Sequence, residues 1–195
     1  ILYKNEVLFS QTVPFEIGNE LLSDLEKYNI EWLLEGEKTL YYRNKPYITH
    51  IGDFKDEQKY LYPSAYKELE PSKASDLVFD KFCIGIHKNS DFKSFEAKYS
   101  KIFTIIDRGN NFYEIVPANC SKATGMEFLM KHFNVDKKDT IAIGDSTNDL
   151  TMLEFAGTSI AMKHSSPIVL EKADYVTDDV FDDGIYNAMK HFELI

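Results

Sequence analysis

Ile141–Ala142–Ile143–Gly144–Asp145–Ser146–Thr147–Asn148–Asp149–Leu150 is the stretch on which the reading of this chain turns. A short apolar run ends at Gly144, and two carboxylates and an amide follow. The run predicts a buried strand, and the text after it predicts a helix over 148–155. In open parallel sheets the ligand crevice lies at the carboxyl ends of the strands, where this cluster would sit. Hard oxygen donors there suit Mg²⁺, which takes one or two carboxylates and completes its shell with water and substrate phosphate. The same residues also fit a helix cap. Ser146 with Asp149 three positions on is a capping-box pattern, and acidic residues favour a helix N-terminus. Capping does not call for Gly144, Asp145 and Asn148 together, and the fuller pattern tilts the reading toward a site.

Outward from that stretch, helical and strand-like segments alternate. Helices are predicted over 121–133, 167–172 and 183–192, and strands over 140–143, 158–162 and 175–177. Met126, Leu129, Met130 and Phe133 form one helical stripe, and Ile185, Met189 and Phe192 another facing inward. Alternation across short loops means βαβ units and a parallel sheet. Before Pro117 the grammar differs. Residues 1–9 read as a short hairpin around Lys4–Asn5–Glu6, with Pro14 closing it. A helix follows over 16–28, then one or two strands in 31–42. The Tyr-rich stretch 51–75, broken by Pro63 and Pro71, reads as loop and short helix. A strand over 77–86, a helix over 91–99 and a hairpin of strands 102–106 and 112–116 complete this part. The division is therefore 1–15 as a core hairpin, 16–116 as an α+β region, and 117–195 as a doubly wound α/β region.

Composition narrows the function. Lys and Arg number 22 against 32 Asp and Glu, a formal charge of −10. That balance argues against nucleic-acid binding, which needs clustered basic residues on phosphates. With 44% hydrophobic residues, 14 Phe and 12 Tyr, the chain is globular rather than disordered. A chain of 195 residues buries roughly 70% of its unfolded surface, enough for one large core or two modest ones. Cys83 and Cys120 alone make no disulfide framework, so a reducing cytoplasm is the expected compartment. No apolar run approaches the length of a membrane span, and no signal peptide is legible.

A second element lies at Ser121–Lys122, where a predicted helix begins. A lysine in the first turn opposes the helix dipole unless an anion sits there, and a helix N-terminus plus an ammonium is a ready phosphate site. An exposed lysine reaching into water is the bland alternative. Ser121–Lys122–Ala123–Thr124–Gly125, Gly144–Asp145–Ser146–Thr147–Asn148–Asp149–Leu150–Thr151–Met152–Leu153, Ala156–Gly157–Thr158–Ser159–Ile160–Ala161–Met162, Ala173–Asp174–Tyr175–Val176–Thr177 and Asp183–Gly184–Ile185 together resemble the C-terminal half of a Cof-type (type IIB) phosphatase of the haloacid dehalogenase superfamily. The match is dense from 117 to 186. Residues 16–116 resemble that family's inserted α+β cap more loosely.

The resemblance implies an α/β, doubly wound parallel sheet with an inserted cap, and a Mg²⁺-dependent phosphomonoester hydrolase acting on a small phosphorylated metabolite such as a sugar phosphate. It implies that Lys122 neutralises the phosphoryl group and the nucleophile, and that Asp145 holds Mg²⁺. It further implies that Asn148 contacts the phosphate and that Asp149 supports the metal directly or through water. Phosphoryl transfer asks a protein mainly for positioning and charge neutralisation, which these residue types supply. A catalytically inactive phosphate- or metal-binding protein and a mutase-like phosphotransferase are the competing readings. No nucleic-acid or membrane partner is expected, and the full-length protein is expected to be a monomer or weak dimer. Arg43, His50, Tyr60, Tyr62 and Arg108 are candidates to face a substrate, but none is assigned. Trp32 is expected to fill the core of the cap region.

One part of the family pattern is missing. The family uses an Asp nucleophile and a second Asp two residues on, and aspartyl-phosphate formation requires that carboxylate. These 195 residues contain no Asp-x-Asp. The expectation is that the nucleophile lies in an N-terminal core segment absent from this chain, and that the chain alone is inactive. Without the strands of such a segment, sheet edges and helix faces would stand open to water. The isolated chain is then expected to associate or to be poorly soluble. Ultracentrifugation showing a monodisperse, cooperatively unfolding monomer would contradict this.

Overall fold

A computed structural model of the chain describes residues 1–37, 39–43, 45–69 and 77–195. They form two compact units, Ile1–Ala118 and Asn119–Ile195. The first opens with the expected hairpin, β1 (Leu2–Tyr3) and β2 (Glu6–Val7), turned through Lys4 and Asn5 in the left-handed conformation. Helix α1 (Phe15–Lys27) follows, burying Leu21, Leu22 and Leu25 on one face. Strands β3 (Glu31–Glu35) and β4 (Leu40–Arg43) then lead to α2 (Ile51–Leu61). After them come β5 (Tyr66–Leu69), β6 (Lys81–Gly85), α3 (Phe92–Tyr99), β7 (Phe103–Asp107) and β8 (Phe112–Pro117).

The sheet of this unit runs β5-β4-β3-β6-β8-β7. It is antiparallel except for the β4–β5 pair. Strand alternation divides the central residues between two faces. Trp32, Leu34, Phe82, Ile84 and Ile115 join Leu21, Leu25, Phe95 and Tyr99 in the larger core. Leu33, Leu40, Tyr42 and Cys83 meet Ile51 on the other side, with Phe54 and Phe112 packed against them. The larger core is rich in aromatic residues, with Phe82 and Phe103 edge to face at 5.3 Å. Trp32 is fully buried there, as the sequence predicts.

Residues 51–75 depart from the sequence reading. Instead of mostly loop and short helix, Ile51–Leu61 is a continuous helix and Tyr66–Leu69 a strand; residues 70–75 lie outside the described residues. The helix carries a weak apolar stripe and is held by Ile51 and Phe54 against the sheet. Its entry is fixed by a buried charge. Glu31, 1% exposed, accepts hydrogen bonds from the backbone N–H of Ile48 and of Thr49, both at 2.9 Å. The Thr49 hydroxyl and the Arg43 guanidinium also donate to it.

The second unit contains α4 (Lys122–Phe133), β9 (Ile141–Gly144), α5 (Leu150–Phe155), β10 (Thr158–Ala161), α6 (Pro167–Lys172), β11 (Tyr175–Val176) and α7 (Gly184–His191). Its sheet is parallel, in the order β11-β10-β9, with Gly144 opposite Ala161 and Ile160 opposite Tyr175. This is the βαβ architecture that the alternating pattern predicts. A small core of Ala142, Leu153, Ala161 and Val169 takes Met126, Leu150 and Met152 at its margin. Two helix stripes differ from expectation. Ile185 and Phe133 are exposed, and Gly184 and Ala188 are the buried residues of the last helix. Glu31→Ala should destabilise the first unit by about 3–5 kcal/mol, because it leaves the Arg43 guanidinium, 10% exposed, and two part-buried amides without their acceptor. Urea unfolding followed by Trp32 fluorescence measures this, and Glu31→Gln should cost less.

Candidate active site

The expected site residues all fall in the second unit. Ser121 caps α4: its hydroxyl accepts from the Thr124 N–H at 3.1 Å, and its own N–H donates to Thr124 Oγ1 at 2.9 Å. This reciprocal box places Lys122 at the first helical position, half-exposed, with its ammonium on Asp149 Oδ1. Strand β9 ends at Gly144, and a 3₁₀ turn over Thr147–Asp149 leads into α5.

Asp149 is the hub. It is 3% exposed, and its Oδ2 accepts from the backbone N–H of Asp145 at 3.0 Å and of Ser146 at 3.3 Å. Oδ1 takes the Lys122 ammonium, so both oxygens are engaged. Burial pushes the Asp149 carboxyl upward, but the Lys122 and Asp145 hydrogen bonds outweigh it, and the group lies below the ordinary carboxylate value. Gly144 has a steric reason. A Cβ there would sit 2.5 Å from the Asp149 Cβ, so only glycine lets the strand end pass the buried side chain.

The capping box anticipated at Ser146 and Asp149 is present. Capping and site are therefore one arrangement: the capping carboxylate is also the one that holds the lysine. Capping leaves two groups unused. Asp145 is exposed, and its carboxylate has no partner among the described residues. Asn148 accepts the Ser146 hydroxyl at 2.6 Å through Oδ1, which leaves its NH₂ available as a donor. The direct Lys122–Asp149 bond went unread in the sequence. A separation of 27 positions along the chain hides it.

The donor set fits Mg²⁺ in part. Asp145 offers one unengaged carboxylate, and no group of three or more His, Cys, Asp or Glu that could hold a metal exists among the described residues. Mg²⁺ bound by one or two carboxylates, water and phosphate is compatible with that. Of the residues left unassigned, Arg43 is committed to Glu31, Arg108 lies 3.6 Å from Glu114, and His50 lies 3.3 Å from Asp53. Tyr60 and Tyr62 are exposed.

With this geometry in place, comparison with known proteins defines the class. Residues 1–189 match the family of haloacid dehalogenase-like hydrolases, and the chain belongs to that family. Over its whole length it is 27% identical to a putative phosphatase, YkrA, of Bacillus subtilis, covering 73% of that protein. A 99-residue part is 30% identical to the B. subtilis 5-amino-6-(5-phospho-D-ribitylamino)uracil phosphatase YcsE, covering 51% of this chain and 40% of that protein. The fold superposes with a TM-score of 0.78 on the subclass IIB sugar phosphatase BT4131, at 22% identity over 100% of this chain and 72% of that one.

Asp149→Ala should cost about 1.5–3 kcal/mol, since it removes the acceptor of charged and backbone donors that are largely out of water. The pH dependence has a definite sign. A carboxylate lowered by folding adds stability that is present above its ordinary value near 3.8 and lost as pH falls through its own lower value. Asp149→Asn should remove that part of the acid loss. Chemical unfolding of wild type and variant between neutral pH and pH 3 reads both effects.

Proposed function

We propose that this chain carries the phosphate-handling part of a Mg²⁺-dependent phosphomonoester hydrolase acting on a small phosphorylated metabolite, with a sugar phosphate as the favoured class. The observation that carries this reading is Asp149. One buried carboxylate holds the Lys122 ammonium and the loop that presents Asp145 and Asn148. Family membership and the phosphatase names of its relatives support the reaction class.

In this reading the Lys122 ammonium offsets charge on a bound phosphoryl group, and the Asn148 NH₂ donates to one of its oxygens. Asp145 would hold Mg²⁺, which when bound supplies further neutralisation of the phosphoryl oxygens. Asp149 positions rather than reacts: with both oxygens engaged, it fixes the lysine and the loop. The nucleophilic Asp would come from sequence outside these residues, since they contain no Asp-x-Asp. It attacks phosphorus, the alcohol leaves, and water then cleaves the aspartyl-phosphate to free phosphate. In this reading the α+β region 16–116 takes the part of the family's cap domain. The missing motif also favours a second reading for the chain alone, phosphate or Mg²⁺ binding without turnover.

Asp145→Ala, placed in a protein that includes the nucleophile, should lower Mg²⁺-dependent kcat/KM by at least about a hundredfold. Lys122→Gln should act in the same direction. Unchanged turnover of p-nitrophenyl phosphate by the Asp145 variant would sink the hydrolase reading, and turnover by the 195-residue chain itself would sink the idea of an external nucleophile.

A further inference from the structure

The six-stranded sheet of the first unit ends at β7, and among the described residues no strand pairs with the outer side of β7. Which groups face outward follows from the ladder. The Ala118 N–H donates to the Ile102 carbonyl and the Arg108 N–H to the Phe112 carbonyl, both at 2.9 Å. In an antiparallel pair such bonds recur at every second residue, so Ile102, Thr104, Ile106 and Arg108 spend their backbone groups on β8. Phe103, Ile105 and Asp107 turn theirs to the open edge. Protein edges are commonly blunted by a bulge, a proline or an inward charge. Strand β7 has none of these. Its pairing with β8 is unbroken from Phe103 to Asp107, and Phe103–Thr104–Ile105–Ile106 carries neither charge nor proline.

The side chains define what fits this edge. Phe103 is buried and Ile105 packs against the larger core. On the opposite face of the strand Ile102 is 41% exposed and Thr104 is exposed. A cation, Lys101, precedes the run and an anion, Asp107, ends it. Lys101 forms no ion pair among the described residues, and Asp107 commits only Oδ1, to the Gly109 N–H at 2.7 Å. A strand that pairs with a second copy of itself about a two-fold axis runs antiparallel and sets outward residues opposite outward residues. The register centred on Thr104 meets that condition and places Lys101 opposite Asp107 of the second copy, on both sides of the axis. It also pairs Ile102 with Ile106, Phe103 with Ile105, and Thr104 with itself. Centring on Ile105 would set Asp107 against Phe103, and centring on Ile106 would set it against Ile105.

We propose that this edge is a homodimerisation surface, on which β7 of two copies pairs antiparallel about Thr104 and joins the two sheets into one. Backbone bonds supply the attraction, and the Lys101–Asp107 pairs fix the register. Five residues of strand span only about 17 Å, so the dimer is weak and concentration-dependent. The surface belongs to the first unit alone and holds whether or not the chain hydrolyses phosphate esters.

Sedimentation equilibrium of the full chain should show reversible monomer–dimer exchange as concentration rises. Thr104→Lys sets two ammonium groups face to face at the axis, on an exposed position where the fold should survive. It should raise the dimer Kd by at least about tenfold, and Lys101→Glu by about threefold to tenfold. Thr104→Cys gives a second reading that does not need a soluble dimer. Because Thr104 turns its backbone to β8, it meets its copy as a non-hydrogen-bonded pair, with Cα atoms about 4.5 Å apart and within disulfide reach. With diamide as oxidant, this variant should form a covalent dimer on non-reducing gels at least about tenfold faster than Ala97→Cys, an exposed position on α3. A chain that stays monomeric at every concentration would overturn the proposal. So would association that Thr104→Lys leaves unchanged, as contact through the second unit would give, or equal cross-linking of the two cysteine variants.

Discussion

A carboxylate taken out of water costs several kcal/mol unless its lone pairs are met by donors. Asp149 meets that condition with two backbone amides and an ammonium. Three separate pieces of chain are therefore fixed by one side chain: the exit of β9, the turn into α5 and the start of α4. Gly144 exists to let that side chain in. Because Asp149 directs its oxygens inward, Asp145 and Asn148 are left with unengaged groups on the same turn. The division between a structural acid and an available acid, four residues apart, follows from burial: one is 3% exposed and the other lies at the surface.

The first unit uses the same physics in a different place. Glu31 sits in a strand of the sheet, yet its partners lie in the segment that precedes α2. Asp24 repeats the device on α1, accepting the Tyr99 hydroxyl at 2.9 Å and the Lys98 ammonium. Burial raises the Asp24 carboxyl, and the Lys98 and Tyr99 hydrogen bonds more than reverse it. Each of these carboxylates joins an element to a neighbour distant in sequence. An acidic chain with a formal charge of −10 thus keeps some of its carboxylates at element junctions rather than on the solvent surface.

What the sequence reveals and what it hides divides along contact range. The 141–150 stretch is readable because strand, turn and helix signals are local, and the Ser146–Asp149 box spans three residues. The parallel sheet is readable for the same reason, as a rhythm of short segments. The Lys122–Asp149 bond is not readable, because order along a chain does not report contact across 27 residues. Helix α2 is obscured by its composition. Only Ile51 is buried on it, and tertiary packing rather than propensity stabilises it. Strand β5 is obscured because its partner β4 is parallel and remote in sequence. In α7 the large Ile185 suggests an inward face, whereas the small Gly184 and Ala188 occupy the buried positions.

The turns of this protein carry a thermodynamic signature of their own. Asn5, Asn29, Asn110, Asn111 and Asn134 occupy the left-handed region that glycine usually fills, and Gly109 is the glycine found there among the described residues. Asparagine tolerates that region because its short amide bonds locally, yet its Cβ still restricts the chain when unfolded. Glycine at these sites would leave the denatured ensemble with more conformations to lose on folding, a difference of about 0.4–1 kcal/mol where the native angles suit the side chain. The denatured chain is thus partly confined before any tertiary contact forms. That confinement favours closure of the β7–β8 turn, which is only a few residues long and brings together strands adjacent in sequence.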